Sequence, residues 1–326
     1  MKHLAIAAIV AAFLFCPLSD FAQDLSAEQN YEQGHQLVSQ KDYHNAIALL
    51  LKAAKSGHVQ AMMELAQCYS YDKSSSHNAD KAVTWWRKAA ALGNADAQYY
   101  AGCCYDYGIS CAENKSKAVA WYEKAAEQGH TQALDALACY RYAERNYEQA
   151  AALWQKAANQ DYTYSVHNLA RCYDEGLGVK QDYVKAVELY TQAAAKGFAL
   201  SQNELGRCYH FGTGVEQDFT VSAGWYQKAA DRGLPIAKYN LGVCYFDGTG
   251  VEQNPEKAID LWLEAADKDC IPALKKIVYC LENGIGLEPD PLKAEALRKT
   301  IANLQKNSSK FSTFENDSRV LLPICQ

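Results

Sequence analysis

Cysteine and histidine are the residues of this 326-residue chain best able to do metal or covalent chemistry, and there are 12 of the first and 8 of the second. Seven of the cysteines form a ladder, Cys68, Cys104, Cys139, Cys172, Cys208, Cys244 and Cys280, at intervals of 36, 35, 33, 36, 36 and 36 residues. Structural zinc sites use closely spaced thiols and imidazoles, as in Cys-x-x-Cys. No such pair occurs and the histidines do not gather near cysteines, so no metal and no other cofactor is expected. The pairs Gly176/Gly178, Gly212/Gly214, Gly248/Gly250 and Gly284/Gly286 have the outline of phosphate-binding loops. The strand that must precede such a loop is missing and the pairs recur once per ladder step, which makes them turns between helices. A Gly-x-Ser-x-Gly elbow, a His-Glu-x-x-His pair, a Walker lysine loop and a calcium loop are all absent from the sequence. Nothing marks an activated nucleophile, and the chain is expected to have no catalytic residue.

The elements that carry this ladder are copies of one another. SQNELGRCYHFGTGVEQDFTVSAGWYQKAADRG from Ser201 and AKYNLGVCYFDGTGVEQNPEKAIDLWLEAADKD from Ala237 share a Leu-Gly-x-Cys-Tyr block, a Gly-Thr-Gly-Val turn and an aromatic, Ala-Ala-rich block. A period near 36 across most of a chain signals stacked supersecondary units. Ser201, Leu205 and Tyr209, four apart, place one face of a first helix in the core and turn Asn203, Arg207 and His210 the other way. Ten residues after the ladder cysteines stand Asn78, Asn114, Asp182, Asp218, Asn254 and Asp290. Their short side-chain oxygens suit N-caps of a second helix, and Pro255 and Pro291 follow at its first position. All six tryptophans (85, 86, 121, 154, 225 and 262) fall in that second helix, where they are expected to pack between helices. Two units, Gln33 to Gly57 and Thr131 to Gln160, lack the glycine loop. Counting them, eight helix pairs are expected from about Ser26 to about Gln305, an all-α, α/α superhelical solenoid of about eight helix-turn-helix repeats.

Composition narrows the partners. The chain is 49% hydrophobic, enough for a buried core, and its net charge of −6 with no run of basic residues argues against nucleic acid. An apolar run from Leu4 to Phe15 follows Lys2 and His3 and reads as the core of a signal peptide, residues 1–22, cut after Ala22. Its length is well below the ~20 residues a membrane-spanning helix needs. Phe13-Leu14-Phe15 ahead of Cys16 does not suit lipid attachment. A secreted or periplasmic protein is expected, with the repeats in residues 23–305, a tail in residues 306–326 and no stable membrane insertion once the signal is cut.

The blocks Ala-x-x-x-Leu-Gly-x-Cys-Tyr, Gly-x-Gly-Val, Asp/Asn-x-x-Lys-Ala and Trp-Tyr-x-Lys-Ala-Ala-x-x-Gly together resemble the Sel-like repeat family, relatives of the tetratricopeptide repeats, over nearly the whole mature chain. The resemblance implies a right-handed α/α superhelix used as an adaptor or scaffold for protein complexes. Certain secreted relatives have been assigned hydrolysis of cell-wall or β-lactam compounds, which is one alternative function; a secreted effector that binds host proteins through the same groove is another. One branch of the family staples each repeat with a cysteine pair, but the second cysteine is absent from most repeats here.

Stacked helices lie on the order of 10 Å apart, beyond the ~7 Å that a disulfide spans between Cα atoms. The ladder thiols are therefore expected to be free and buried as small apolar residues. Cys103, Cys111, Cys270 and Cys325 stand outside the ladder. Cys111 takes the place of the turn valine, from which a bridge to Cys104 or Cys103 is open, and a Cys270–Cys325 bridge would pin the tail.

Should the solenoid curve as its relatives do, Tyr99, Asp106, His167, Arg171, Asp174, Asn203, Arg207, His210 and Tyr239 line its concave wall. Planar arginines beside Tyr and His suit an extended peptide or a terminal carboxylate, held by paired hydrogen bonds and stacking. His167 and His210 offer a route to pH-sensitive binding, although lone histidines on solvated helices usually do not matter. The expected function is an exported, non-enzymatic scaffold that binds a protein or peptide in this groove.

Overall fold

The computed structural model describes residues 25–71 and 79–308, and among them sixteen helices and no strand. The segment expected to be a signal peptide, residues 1–22, the expected cap residue Asn78, Cys325 and the residues beyond 308 lie outside the described residues. Contacts divide the chain into two compact units after Leu92. The first holds α1 (Ala27–Ser39), α2 (Tyr43–Lys55), α3 (Val59–Tyr71) and α4 (Ala79–Ala91). The second holds α5 (Ala95–Asp106), α6 (Lys115–Glu127), α7 (Thr131–Ala143), α8 (Tyr147–Ala158), α9 (Thr163–Glu175) and α10 (Tyr183–Ala195). It continues with α11 (Ala199–Phe211), α12 (Phe219–Asp231), α13 (Pro235–Asp247), α14 (Pro255–Ala266), α15 (Ile271–Asn283) and α16 (Pro291–Ser308). Odd-numbered helices pair with the even-numbered helix that follows, giving the eight repeats expected.

The second-helix caps are where the asparagines and aspartates place them. Asn114, Asp182, Asp218, Asn254 and Asp290 each accept a hydrogen bond from the backbone N–H three residues on, satisfying a donor that the helix start leaves without a partner. Four turns share one chemistry. Gly176, Gly212, Gly248 and Gly284 end their helices in the left-handed conformation. In each, the ladder cysteine four residues earlier supplies the carbonyl that receives the turn's N–H groups. The second glycine does something else. A Cβ on Gly178 would lie 2.0 Å from the carbonyl oxygen of Tyr147, on Gly214 2.3 Å from that of Tyr183, and on Gly250 2.0 Å from that of Phe219. Each of these carbonyls opens the second helix of the preceding repeat, so this glycine sets how closely neighbouring repeats stack.

Within a repeat, the glycine of the Leu-Gly pair seats an aromatic ring. A Cβ on Gly102 or Gly206 would meet the ring of Tyr122 or Tyr226 at 2.5 Å, and on Gly242 it would meet the Trp262 indole nitrogen at 2.4 Å. Trp86, Trp154 and Trp262 are fully buried, as inter-helix packing requires. Trp121 and Trp225 are not; they are only half-buried, and the ammonium groups of Lys124 and Lys228 lie 4.4 and 3.9 Å from their ring centroids.

Two expectations about the cysteines need correction. The first helices of successive repeats begin at residues 95, 131, 163, 199, 235 and 271, so the interval is 36 throughout except for 32 after Thr131. Cys172 is nine residues after its helix start, and the residue nine after Thr131 is Tyr140. Cys139 is thus one position out of register and only half-buried, whereas Cys104, Cys172, Cys208, Cys244 and Cys280 are at most 1% exposed. The turn from α7 to α8 is four residues shorter than the glycine turns, with Arg145 in the left-handed conformation in place of glycine. That deletion divides 68 residues into 35 and 33 by cysteine but into 36 and 32 by helix. The second correction is the Cys104–Cys111 bridge. Neither thiol is in a disulfide: Cys104 turns into the core of its helix, and the Cys111 thiol faces the backbone carbonyl of Cys104 at 3.4 Å.

Candidate functional site

The fifth residue of each first helix from α5 to α13 is Tyr99, Asp135, His167, Asn203 and Tyr239, four of them expected in the groove. Tyr99, Asp135, His167 and Asn203 are only 5–6% exposed, and Tyr239 is half-buried. They form a seam between repeats and not a wall facing solvent. Tyr99 stacks on His130, the residue that caps α7, with centroids 4.8 Å apart. Asp135 accepts from the Ser165 hydroxyl of α9 at 2.6 Å. His167 Nδ1 lies 2.9 Å from Ser201 Oγ of α11, and Asn203 accepts from the Asn240 amide of α13 at 2.9 Å. The physical reason is that a first helix packs on its neighbour in the next repeat as well as on its own partner, so two faces are covered where the single-helix pattern shows one.

Burial, then the nearby Arg171, pushes the His167 imidazole down to about 3. His167 is neutral at physiological pH and is not the pH sensor the sequence suggests. Its ring proton signals in an NMR titration are expected to stay flat from about pH 5 to 8, and an inflection there would contradict the burial argument. Asp106 is also tied down: Tyr122 donates to one carboxylate oxygen at 3.0 Å, while Tyr140 and Lys115 donate to the other. It joins α5, α6 and α7. His210 sits between the rings of Phe211 and Phe219, with centroids 4.7 and 5.2 Å away.

Arg171, Asp174 and Arg207 do come together. With His167 they line a cleft of about 620 Å³ among α9, α10 and α11, completed by Glu175, Tyr183, Tyr190, Leu200, Glu204 and Thr213. Arg207 donates to Asp174 in the preceding repeat and, through Nε, to Glu204 at 2.8 Å. Arg171 lies 3.4 Å from Glu175. Asp174 is nonetheless held above the ordinary carboxylate value, by burial first and then against the pull of Arg207 by Glu204 and Glu175. Tyr190 is 0% exposed and its hydroxyl has no hydrogen-bond partner. Burial, then Glu204 and Asp174, keep its proton on. The sequence reading missed Glu175, Glu204, Tyr183 and Tyr190. Tyr190 stands in the aromatic block of a second helix, where core packing was the natural assignment, and only the fold shows that it lines a cleft.

The buried thiols do not offer a nucleophile. Burial pushes Cys103 and Cys172 up to about 12 and Cys208 and Cys244 up to about 11, so the reactive thiolate is scarce at neutral pH. Among the described residues, no three His, Cys, Asp or Glu side chains gather to hold a metal ion.

Comparison with known proteins matches eight Sel1 repeats, at residues 21–58, 59–94, 95–130, 133–162, 163–198, 199–234, 235–270 and 279–297. Among solved structures, a protective antigen present in uropathogenic Escherichia coli strains, displaying an SLR fold, is 32% identical with a TM-score of 0.68. The match covers 81% of this chain and 57% of that one, so the chain spans little more than half the antigen's length. A Sel1 repeat protein from Oxalobacter formigenes is 28% identical over 85% of this chain and 83% of its own, with a TM-score of 0.64. No curated protein matches the chain.

Proposed function

The chain belongs to the Sel1 repeat family, an all-α repeat architecture that serves as a protein-interaction scaffold, and on that premise we propose that this member is an exported, non-catalytic scaffold that holds a segment of a partner protein in the cleft among α9, α10 and α11. The observation that carries the cleft is the convergence of Arg171, Asp174, Arg207 and the partnerless Tyr190 hydroxyl on one concave lining. Ordered polar groups on a rigid helical frame give a bound segment fixed hydrogen-bonding partners at little reorganisation cost. The apolar run Leu4 to Phe15 supports export, and among the described residues no helix is long and apolar enough to cross a membrane.

The test is a pull-down from the envelope fraction with the chain from Gln23 as bait, beside a Leu200→Trp variant. Leu200 lines the cleft, and the larger ring fills it without altering charge. A protein captured by the native chain and lost from the variant, with the circular dichroism of the two unchanged, is the expected result. Equal capture by both removes the cleft from the function.

A further inference from the structure

From the arginines beside Tyr and His, an extended peptide or a terminal carboxylate is the expected ligand of the groove. The lining argues for the opposite charge. Both guanidinium groups already face carboxylates of their own or the neighbouring repeat, Arg207 with Asp174 and Glu204 and Arg171 with Glu175. Two cations therefore meet three anions. An incoming carboxylate would have to displace one of these internal partners and leave it in a partly dehydrated cleft, which costs free energy. Asp174 holds its proton more tightly than usual because of burial first, with Glu204 and Glu175 adding to this against the pull of Arg207. Below the ion pairs, the buried Tyr190 oxygen lacks a partner, and such a group carries a desolvation cost until a ligand satisfies it. At the edge, Tyr183 lines the cleft and is 42% exposed, leaving ring surface for a cation.

Resting on the cleft reading above, we propose that this site receives a basic side chain, the guanidinium or ammonium of an arginine or lysine in an extended segment of the partner. Its charge meets the surplus carboxylate among Asp174, Glu175 and Glu204. One of its N–H groups donates to Tyr190 Oη, and its flat face or alkyl stem covers the Tyr183 ring. The net charge of −6 on the chain favours the approach of such a partner.

Fluorescence anisotropy on the chain from Gln23 tests the proposal, using four mixtures of short, acetylated and amidated peptides that are randomised except for a central Arg, Lys, Gln or Glu. The Arg and Lys mixtures are expected to bind about tenfold more tightly than the Gln mixture, with the Glu mixture weakest. Tyr190→Phe and Glu175→Gln are each expected to reduce that preference by about threefold or more, Glu175→Gln being an exposed change that leaves packing alone. Tightest binding of the Glu mixture, or no preference for the central residue, overturns the basic-ligand proposal. If that binding is nevertheless abolished by Leu200→Trp, the cleft reading survives. Binding that Leu200→Trp leaves intact, or no binding by any mixture, overturns both.

Discussion

Gly178→Ala is expected to destabilise the second compact unit by about 2–5 kcal/mol, while Gly176→Ala, two residues away, costs only about 1–2 kcal/mol. Both glycines have positive φ, 73° and 70°, so alanine at either meets the same left-handed penalty. The surroundings differ. At Gly176 the nearest atom to a new Cβ is the Gln181 Cβ at 3.2 Å, a contact that a shift of a few tenths of an ångström relieves. At Gly178 the Cβ would meet the Tyr147 carbonyl oxygen at 2.0 Å, its carbon at 2.2 Å and the Glu148 nitrogen at 2.6 Å, all main-chain atoms at the start of α8. Relief requires α8 and the turn after α9 to move apart. Because a repeat protein owes much of its stability to such neighbour contacts, the variant is also expected to broaden the transition in urea as the repeats on either side begin to unfold separately. Urea titration of both variants, followed by circular dichroism, is the check. Equal losses would mean that the second glycine serves only the turn.

Asp135→Asn is expected to stabilise the protein at neutral pH by up to about 3 kcal/mol and to leave it unchanged near pH 4. Asp135 is buried in α7, and that burial pushes its carboxyl up to about 6 from an ordinary 3.8, the Ser165 hydroxyl working in the other direction. A folded-state value above the unfolded one means the folded chain holds the proton more tightly. The associated stability is present in full below pH 3.8 and is lost as the pH rises through about 6. Asparagine mimics the protonated acid and escapes that loss, less whatever its amide fails to reproduce of the bond to Ser165. Denaturation midpoints of both proteins measured from about pH 4.5 to 8 should diverge with rising pH. Parallel curves would show that the carboxyl does not titrate in this range.

Much of the local architecture was legible from the residues. The five expected Asx caps among the described residues, Pro255 and Pro291 at helix starts, the glycine ends and the two short repeats stand where their chemistry placed them, since each depends on atoms only a few residues apart. The cysteine ladder was a poorer guide at one step. Cys139 mimics the repeated Cys-Tyr pair, yet the short turn between α7 and α8 shifts it by one residue, and only the helix starts expose the slip. The residues expected to share one groove divide into two groups in the fold. Arg171, Asp174 and Arg207 share a cleft with His167, whereas Tyr99 and Asn203 are claimed by the seam between repeats.

The sequence by itself determined the helices, their ends, their number and the period of the repeat, because capping, turn geometry and the 3.6-residue face are settled by near neighbours along the chain. Which faces remain open to a ligand was decided only by the tertiary structure. That choice follows from how closely one repeat stacks on the next, a distance governed by Gly178, Gly214 and Gly250 against the backbone of the preceding repeat. Close stacking buries Tyr99, Asp135, His167 and Asn203, pairs Arg207 with Asp174 across the repeat boundary and leaves Tyr190 lining a cleft. No single repeat contains that arrangement.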